Sequence, residues 1–201
     1  MKTTTIPPDR ISLSAYRLSL SALFLALIIV SAFIRIPFPV IPITLQTLIV
    51  LLAAMTLGHR LAGLTVGTYL LMGLAGLPVF TAGGGVFYVL KPTFGYLLGF
   101  LLAAVAVGYL VHRTRIRSFV RMSLFGMIGI IIIYASGIGY MLLLSAFYTR
   151  TPSSLASLFT LNFALTIFSD FFKCAIAAFL AVRLQNILQR SHYFRSLIPG
   201  G

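Results

Sequence analysis

Residues 121–147 read RMSLFGMIGIIIIYASGIGYMLLLSAF, and no charged side chain stands between Arg121 and Arg150. A helix crossing about 30 Å of hydrocarbon needs roughly 20 mostly apolar residues. This stretch is long enough to span. An open strand would leave its edge groups unsatisfied in lipid, so a helix is the form it takes. Working outward, comparable apolar stretches occur at 13–34, 43–58, 60–76, 93–112 and 156–182. The charges respect the same spans: none lies between Lys91 and Arg113, and only Arg60 intervenes between Arg35 and Lys91. The second and third stretches are short and separated only by Gly58-His59-Arg60. The alternative for them is a single hairpin that does not reach both faces.

Composition agrees with the spans. The 201 residues are 60% hydrophobic and 8% charged, with a mean hydropathy of +1.07. A soluble domain carries about 25% charged residues, and a disordered chain pairs low hydrophobicity with high net charge. Both classes are excluded. The net charge of +13 invites a nucleic-acid reading, but the basic residues punctuate apolar spans and line no single face. No nucleic-acid partner is expected; the partner of the surface is membrane lipid. Lys2, Arg10 and Arg17 before an apolar run imitate a secretory signal. The run from 18 to 34 is too long for one, and further spans follow it.

The expected fold is therefore all-α: about six transmembrane helices in one bundle, as a multi-pass protein of the cytoplasmic membrane. One membrane domain covers 1–201, with tails at 1–12 and 184–201 and the bundle at 13–183. Loop charges set the orientation. With the N-terminus cytoplasmic, Lys2, Arg10, Arg17, Arg60, Arg113, Arg115, Arg117, Arg121, Arg183, Arg190 and Arg195 fall inside, and Arg35, Lys91 and Arg150 outside. Eleven against three places both termini in the cytoplasm.

Two outer loops are unusually apolar. Residues 36–46 read IPFPVIPITLQ, where Pro37, Pro39 and Pro42 enforce extended backbone without ladder donors. Residues 76–92 read GLPVFTAGGGVFYVLKP. They are expected to fold over a cavity as a lid; the plainer alternative is two connectors packed at the interface.

Asp170 and Lys173 stand inside the last span. Each costs about 2.5–3.5 kcal/mol at a helix centre on insertion scales, so an intramembrane charge marks function by default. Their i, i+3 spacing puts both on one face. A self-satisfied pair with no ligand is the alternative, but Asp170 is the only acid besides Asp9, and omitting the pair would have cost less than keeping it. Lys91, directly before Pro92, is either an interfacial anchor or a cation facing the same outer half. An acid with one or two cations among aromatics suits a small, partly apolar ligand with a carboxylate and a polar N–H group. Ala22 and Ala26 have the small-xxx-small spacing that permits close helix approach.

Other chemistries lack their parts. There is no G-x-x-x-x-G-K-[ST] for ATP and no H-E-x-x-H among His59, His112 and His192. Cys174 is the single cysteine, leaving no disulfide or thiolate metal site. No nucleophile or metal cluster supports a membrane enzyme, and no cofactor is expected.

PFPVIPITLQT at 37–47, GLAGLPVF at 73–80, KPTFGYLLGF at 91–100 and the D-x-x-K of Asp170 and Lys173 together resemble the BioY family, the biotin-binding S components of energy-coupling-factor (ECF) transporters. The likeness runs from about Leu18 to Arg183. It implies a six-helix bundle with a biotin pocket near the outer face, held by Asp170, Lys173 and Lys91. Asp170 would take the ureido N–H groups, and Lys173 or Lys91 the valerate carboxylate. Gln46, Tyr88 and Asn162 are further candidates, because the glycine triplet leads into Val86-Phe87-Tyr88 where several relatives carry more polar groups. Ala22 and Ala26 would meet a transmembrane coupling subunit, served by two cytoplasmic ATPases. The competing expectation is a stand-alone carrier of biotin or a similar carboxylate, driven by a proton or other gradient.

Overall fold

The computed structural model describes residues 8–36, 43–114, 118–146 and 153–190, with the side chains of 8–14, 153–165 and 188–190 left aside. Five helical elements follow in order: α1 (Pro8–Phe33), α2 (Gln46–Leu74), α3 (Phe94–Thr114), α4 (Phe119–Leu144) and α5 (Ser153–Arg190). Among the described residues, four helices, α1 to α4, are long and apolar enough to cross a membrane.

The six expected stretches appear as five elements because 43–58 and 60–76 run on as α2 without a connecting loop. Gly58 (φ 77°, ψ 171°) breaks the helical path inside α2, in a region that only glycine occupies freely. The consequence is large. Gln46 Nε2 donates to the Tyr69 hydroxyl at 2.8 Å, yet 23 residues of straight helix would separate them by about 34 Å. The run therefore doubles back at Gly58, giving one limb over 46–57 and another over 59–74. The reversal packs against the far end of α3: a Cβ on Gly58 would lie 2.9 Å from the His112 ring, and one on Gly108 would lie 2.6 Å from the His59 nitrogen. Breaking a helix strands carbonyls at the end of its first limb. Gln185 of α5 answers one of them, its Nε2 donating to the Met55 carbonyl at 2.6 Å.

Inside the bundle α2 packs on α1, α3 and α5, and α4 packs on α3 and α5. Lipid supplies no hydrophobic drive between helices, so close van der Waals fit matters most, and small residues permit it. Ala53, Ala54, Ala103, Ala104, Ala177, Ala178 and Ala181 are fully buried. Gly99 of α3 lets the α4 backbone approach, since a Cβ there would stand 2.8 Å from the Ile133 Cα. Lipid solvates the rest. Leu124, Ile131, Phe168 and Phe172 point outward and are exposed.

At the loop end, opposite the Gly58 reversal, the stretch expected to be extended is described only at its two ends. The residues flanking the prolines pair as a two-residue antiparallel ladder, β1 (Arg35–Ile36) with β2 (Ile43–Thr44). The prolines themselves lie at 37–42, outside the described residues. Arg35 reaches across to donate to the Thr81 carbonyl, joining this ladder to the 75–93 segment. That segment carries a 3-10 helix, Val86–Leu90. Tyr140 of α4 donates to the Val89 carbonyl from the other side.

Candidate functional site

Beneath the loop end lies a cavity lined by Thr44, Gln46, Thr47, Thr81, Tyr88, Thr93, Tyr96, Leu97, Phe100, Ile133, Tyr134, Thr166, Asp170 and Lys173. Counted together with the solvent in its open mouth, it comprises about 530 Å³ of empty space. Leu97, Phe100 and Ile133 are its apolar lining, and five threonines, three tyrosines, Gln46, Asp170 and Lys173 supply the polar remainder.

The polar focus is on α5. Lys173 Nζ donates to Asp170 Oδ1 at 2.7 Å, and the Tyr134 hydroxyl of α4 donates to Asp170 Oδ2 at 2.9 Å. Asp170 is 3% exposed and Lys173 6%, so the pair is withdrawn from water and lipid and neutralises itself. Two ions survive such burial only when paired and hydrogen-bonded. An ionised carboxylate offers about four acceptor positions. Lys173 and Tyr134 use one on each oxygen, which leaves one on each for donors from a ligand.

Other partners sit nearer the mouth. Gln46 starts the first limb of α2 and Tyr69 sits near the end of the second; Tyr69 passes its own proton on to the Val79 carbonyl at 3.3 Å. The chain Gln46–Tyr69–Val79 thus ties both limbs to the loop. Tyr88, in the 3-10 helix, is buried; its hydroxyl is 3.1 Å from Thr81 Oγ1 and its ring packs, tilted by 52°, against Phe80 at 4.6 Å. Gly73 makes room for the Phe80 ring, with which any Cβ there would collide.

Of the residues singled out from sequence, Asp170, Lys173, Gln46 and Tyr88 come together in this cavity. Lys91 does not line it. Its side chain is exposed, donates to the Ala82 carbonyl at 3.0 Å and stands 4.9 Å over the Tyr88 ring. The ammonium therefore stands over the Tyr88 ring, next to a residue of the cavity lining and not in the lining itself. Asn162 falls on α5 outside the described side chains. Ala22 and Ala26 are exposed and lie off the stripe of Phe24, Ile28 and Ala32 that α1 buries against the bundle. Sequence reasoning missed Tyr96 and Tyr134. A signal for Tyr134 existed: it sits midway along the 121–147 stretch, where an interfacial tyrosine has no place.

Comparison with known proteins gives the family and the fold. The profile of the BioY family matches residues 3–190. The chain belongs to the BioY family. Similar curated relatives include a probable biotin transporter BioY of Lysinibacillus sphaericus, 41% identical over 88% of this chain and 90% of the relative. The biotin transporter BioY of Thermotoga maritima is 36% identical over 83% of this chain and 94% of its own length. Among solved structures, the crystal structure of the S-component for biotin from an ECF-type ABC transporter superposes with a TM-score of 0.75 at 25% identity, over 90% of this chain and 95% of the other. These BioY relatives are transporters and not enzymes.

Proposed function

We propose that this chain binds biotin in the cavity beneath its loop end and serves biotin uptake across the cytoplasmic membrane as the substrate-binding subunit of an ECF-type transporter. The observation that carries this is the neutralised Asp170–Lys173 pair in the cavity wall of a BioY chain. One free acceptor position on each oxygen of Asp170 suits the N–H donors of a cyclic urea. Biotin is the cargo, and no cofactor takes part.

In this reading Asp170 takes a ureido N–H, and Lys173 remains against Asp170 to hold it ionised. Lys91, at the mouth, exchanges the Ala82 carbonyl for the valerate carboxylate. Gln46 and Tyr88 line the path between, and Asn162 is a further candidate on α5. The two limbs of α2 count as two crossings, giving six in all with α1, α3, α4 and α5 in a single membrane domain. The Lys/Arg bias then puts the Gly58 reversal and both termini on the cytoplasmic side and the cavity mouth outside. Ala22 and Ala26, free of the bundle, meet the transmembrane coupling subunit, and two cytoplasmic ATPases supply the ATP chemistry for which this chain has no motif.

The test is equilibrium binding of labelled biotin to detergent-purified protein. The wild type is expected to bind tightly, with Asp170→Asn and Lys173→Ala each losing at least about a hundredfold. A folded wild type that holds no biotin would remove the proposal at its centre.

A further inference from the structure

We propose that Tyr96 is a specificity residue of this cavity, its hydroxyl donating to the carbonyl oxygen of the ligand's cyclic urea while Asp170 accepts the adjacent N–H. This rests on the biotin reading above and adds a contact to it.

Among the described residues, four buried polar side-chain atoms have no hydrogen-bond partner: Ser21 Oγ, Thr56 Oγ1, Tyr96 OH and Ser123 Oγ. Of these residues only Tyr96 lines the cavity, and it is 8% exposed. A buried hydroxyl left unpaired is destabilising, and native structures retain one where something else completes it. The packing around Tyr96 holds it there. Its ring meets Tyr134 edge to face, with centroids 5.8 Å apart at 89°. Gly137 of α4 gives it room, because a Cβ at that position would come within 2.5 Å of the Tyr96 ring.

The chemistry of the neighbours decides what the hydroxyl meets. Tyr134, against the Tyr96 ring, spends its hydrogen on Asp170 Oδ2. The Tyr96 hydrogen is uncommitted, and its ring contact with Tyr134 sets the residue beside a partner of the carboxylate. A donor beside an acceptor complements the edge of a cyclic urea or lactam, where C=O and N–H stand side by side. A straight-chain carboxylate has no such edge. The pair therefore reads the head group of the ligand and leaves its acid tail to the mouth.

The experiment compares biotin with its thiourea analogue, in which sulfur, a poor acceptor, replaces the ureido oxygen. Both are titrated into the purified full-length protein. Wild type is expected to prefer biotin by about tenfold. Tyr96→Phe keeps the ring, lowers biotin affinity by about tenfold, leaves the analogue within about twofold and brings the ratio near one. Tyr134→Phe, which removes the hydroxyl spent on Asp170, lowers both affinities by the same factor. A wild type that binds both compounds equally overturns the proposal without any variant. So does a Tyr96→Phe protein that keeps the wild-type ratio, which would assign the oxygen to another donor such as Lys173. A ratio that collapses in Tyr134→Phe and not in Tyr96→Phe overturns it as well. A wild type that binds neither compound overturns the biotin reading itself, an outcome distinct from the other three.

Discussion

Asp170 carries two donors before any ligand arrives, Lys173 on one oxygen and Tyr134 on the other. That makes a structural ion pair and a binding site separable by mutation. Lys173→Met leaves a buried carboxylate unpaired, at a cost of about 3–5 kcal/mol, and is expected to lower the thermal midpoint sharply. Asp170→Leu with Lys173→Met removes both charges and is expected to recover most of that stability while binding no biotin. A double variant that still bound would take the pair out of the site. Lys91 calls for a different comparison, because it also holds the Ala82 carbonyl. Lys91→Ala is expected to weaken biotin by about tenfold and to leave biotinamide, which has no carboxylate, unchanged; equal loss for both would assign Lys91 to loop support alone. The charges were legible in the sequence because lipid makes them costly. Tyr96 was not, since tyrosine is neutral enough to hide in an apolar run; Tyr134 left only the trace of its mid-span position. The placement of Lys91 depends on how seventeen residues of loop fold, which no local pattern encodes.

At the scale of elements, α2 is the informative case. Its two limbs were visible as two apolar stretches, but not that they join without a loop, because one glycine at φ 77° suffices for the reversal. Gly58→Ala combines a strained backbone, worth about 1–3 kcal/mol, with a Cβ pressed on His112, and is expected to destabilise the bundle. Removing the clash alone with His112→Ala is expected to restore only part of the midpoint. Gln185→Leu leaves the Met55 carbonyl without its donor and should cost about 1–3 kcal/mol, measured as detergent melting with biotin absent. If Gln185→Leu melts like wild type, the tie between α5 and the reversal contributes nothing. The helix boundaries read from sequence were near those observed for α3 and α4, where charged residues bracket the spans. They were poorer for α1, which starts at Pro8, because a helix can extend past the apolar run.

For the whole molecule, the six crossings proposed above make a prediction about sidedness. Arg60, at the reversal, and Phe87, exposed in the 3-10 helix, should lie on opposite sides of the membrane. In a Cys174→Ala background, a membrane-impermeant maleimide on intact cells is expected to label Phe87→Cys and to reach Arg60→Cys only after permeabilisation. Labelling of both from outside would return α2 to a hairpin that turns within the membrane. The native Cys174 is 2% exposed and packs at Gly126, so the background itself tests how closely α4 and α5 fit. The bundle was the most legible level, since composition alone forced lipid as the solvent. Its closure over the cavity was the least. That closure has a further property. Arg35, Lys91, Tyr140 and Tyr69 all fasten the loop through the main-chain carbonyls of Thr81, Ala82, Val89 and Val79. A carbonyl is present whatever side chain the residue bears. The rim is thus free to drift in composition at Ala82 and Val89 while being intolerant of any change in length, so natural diversity in this loop should accumulate as substitutions and almost never as insertions or deletions.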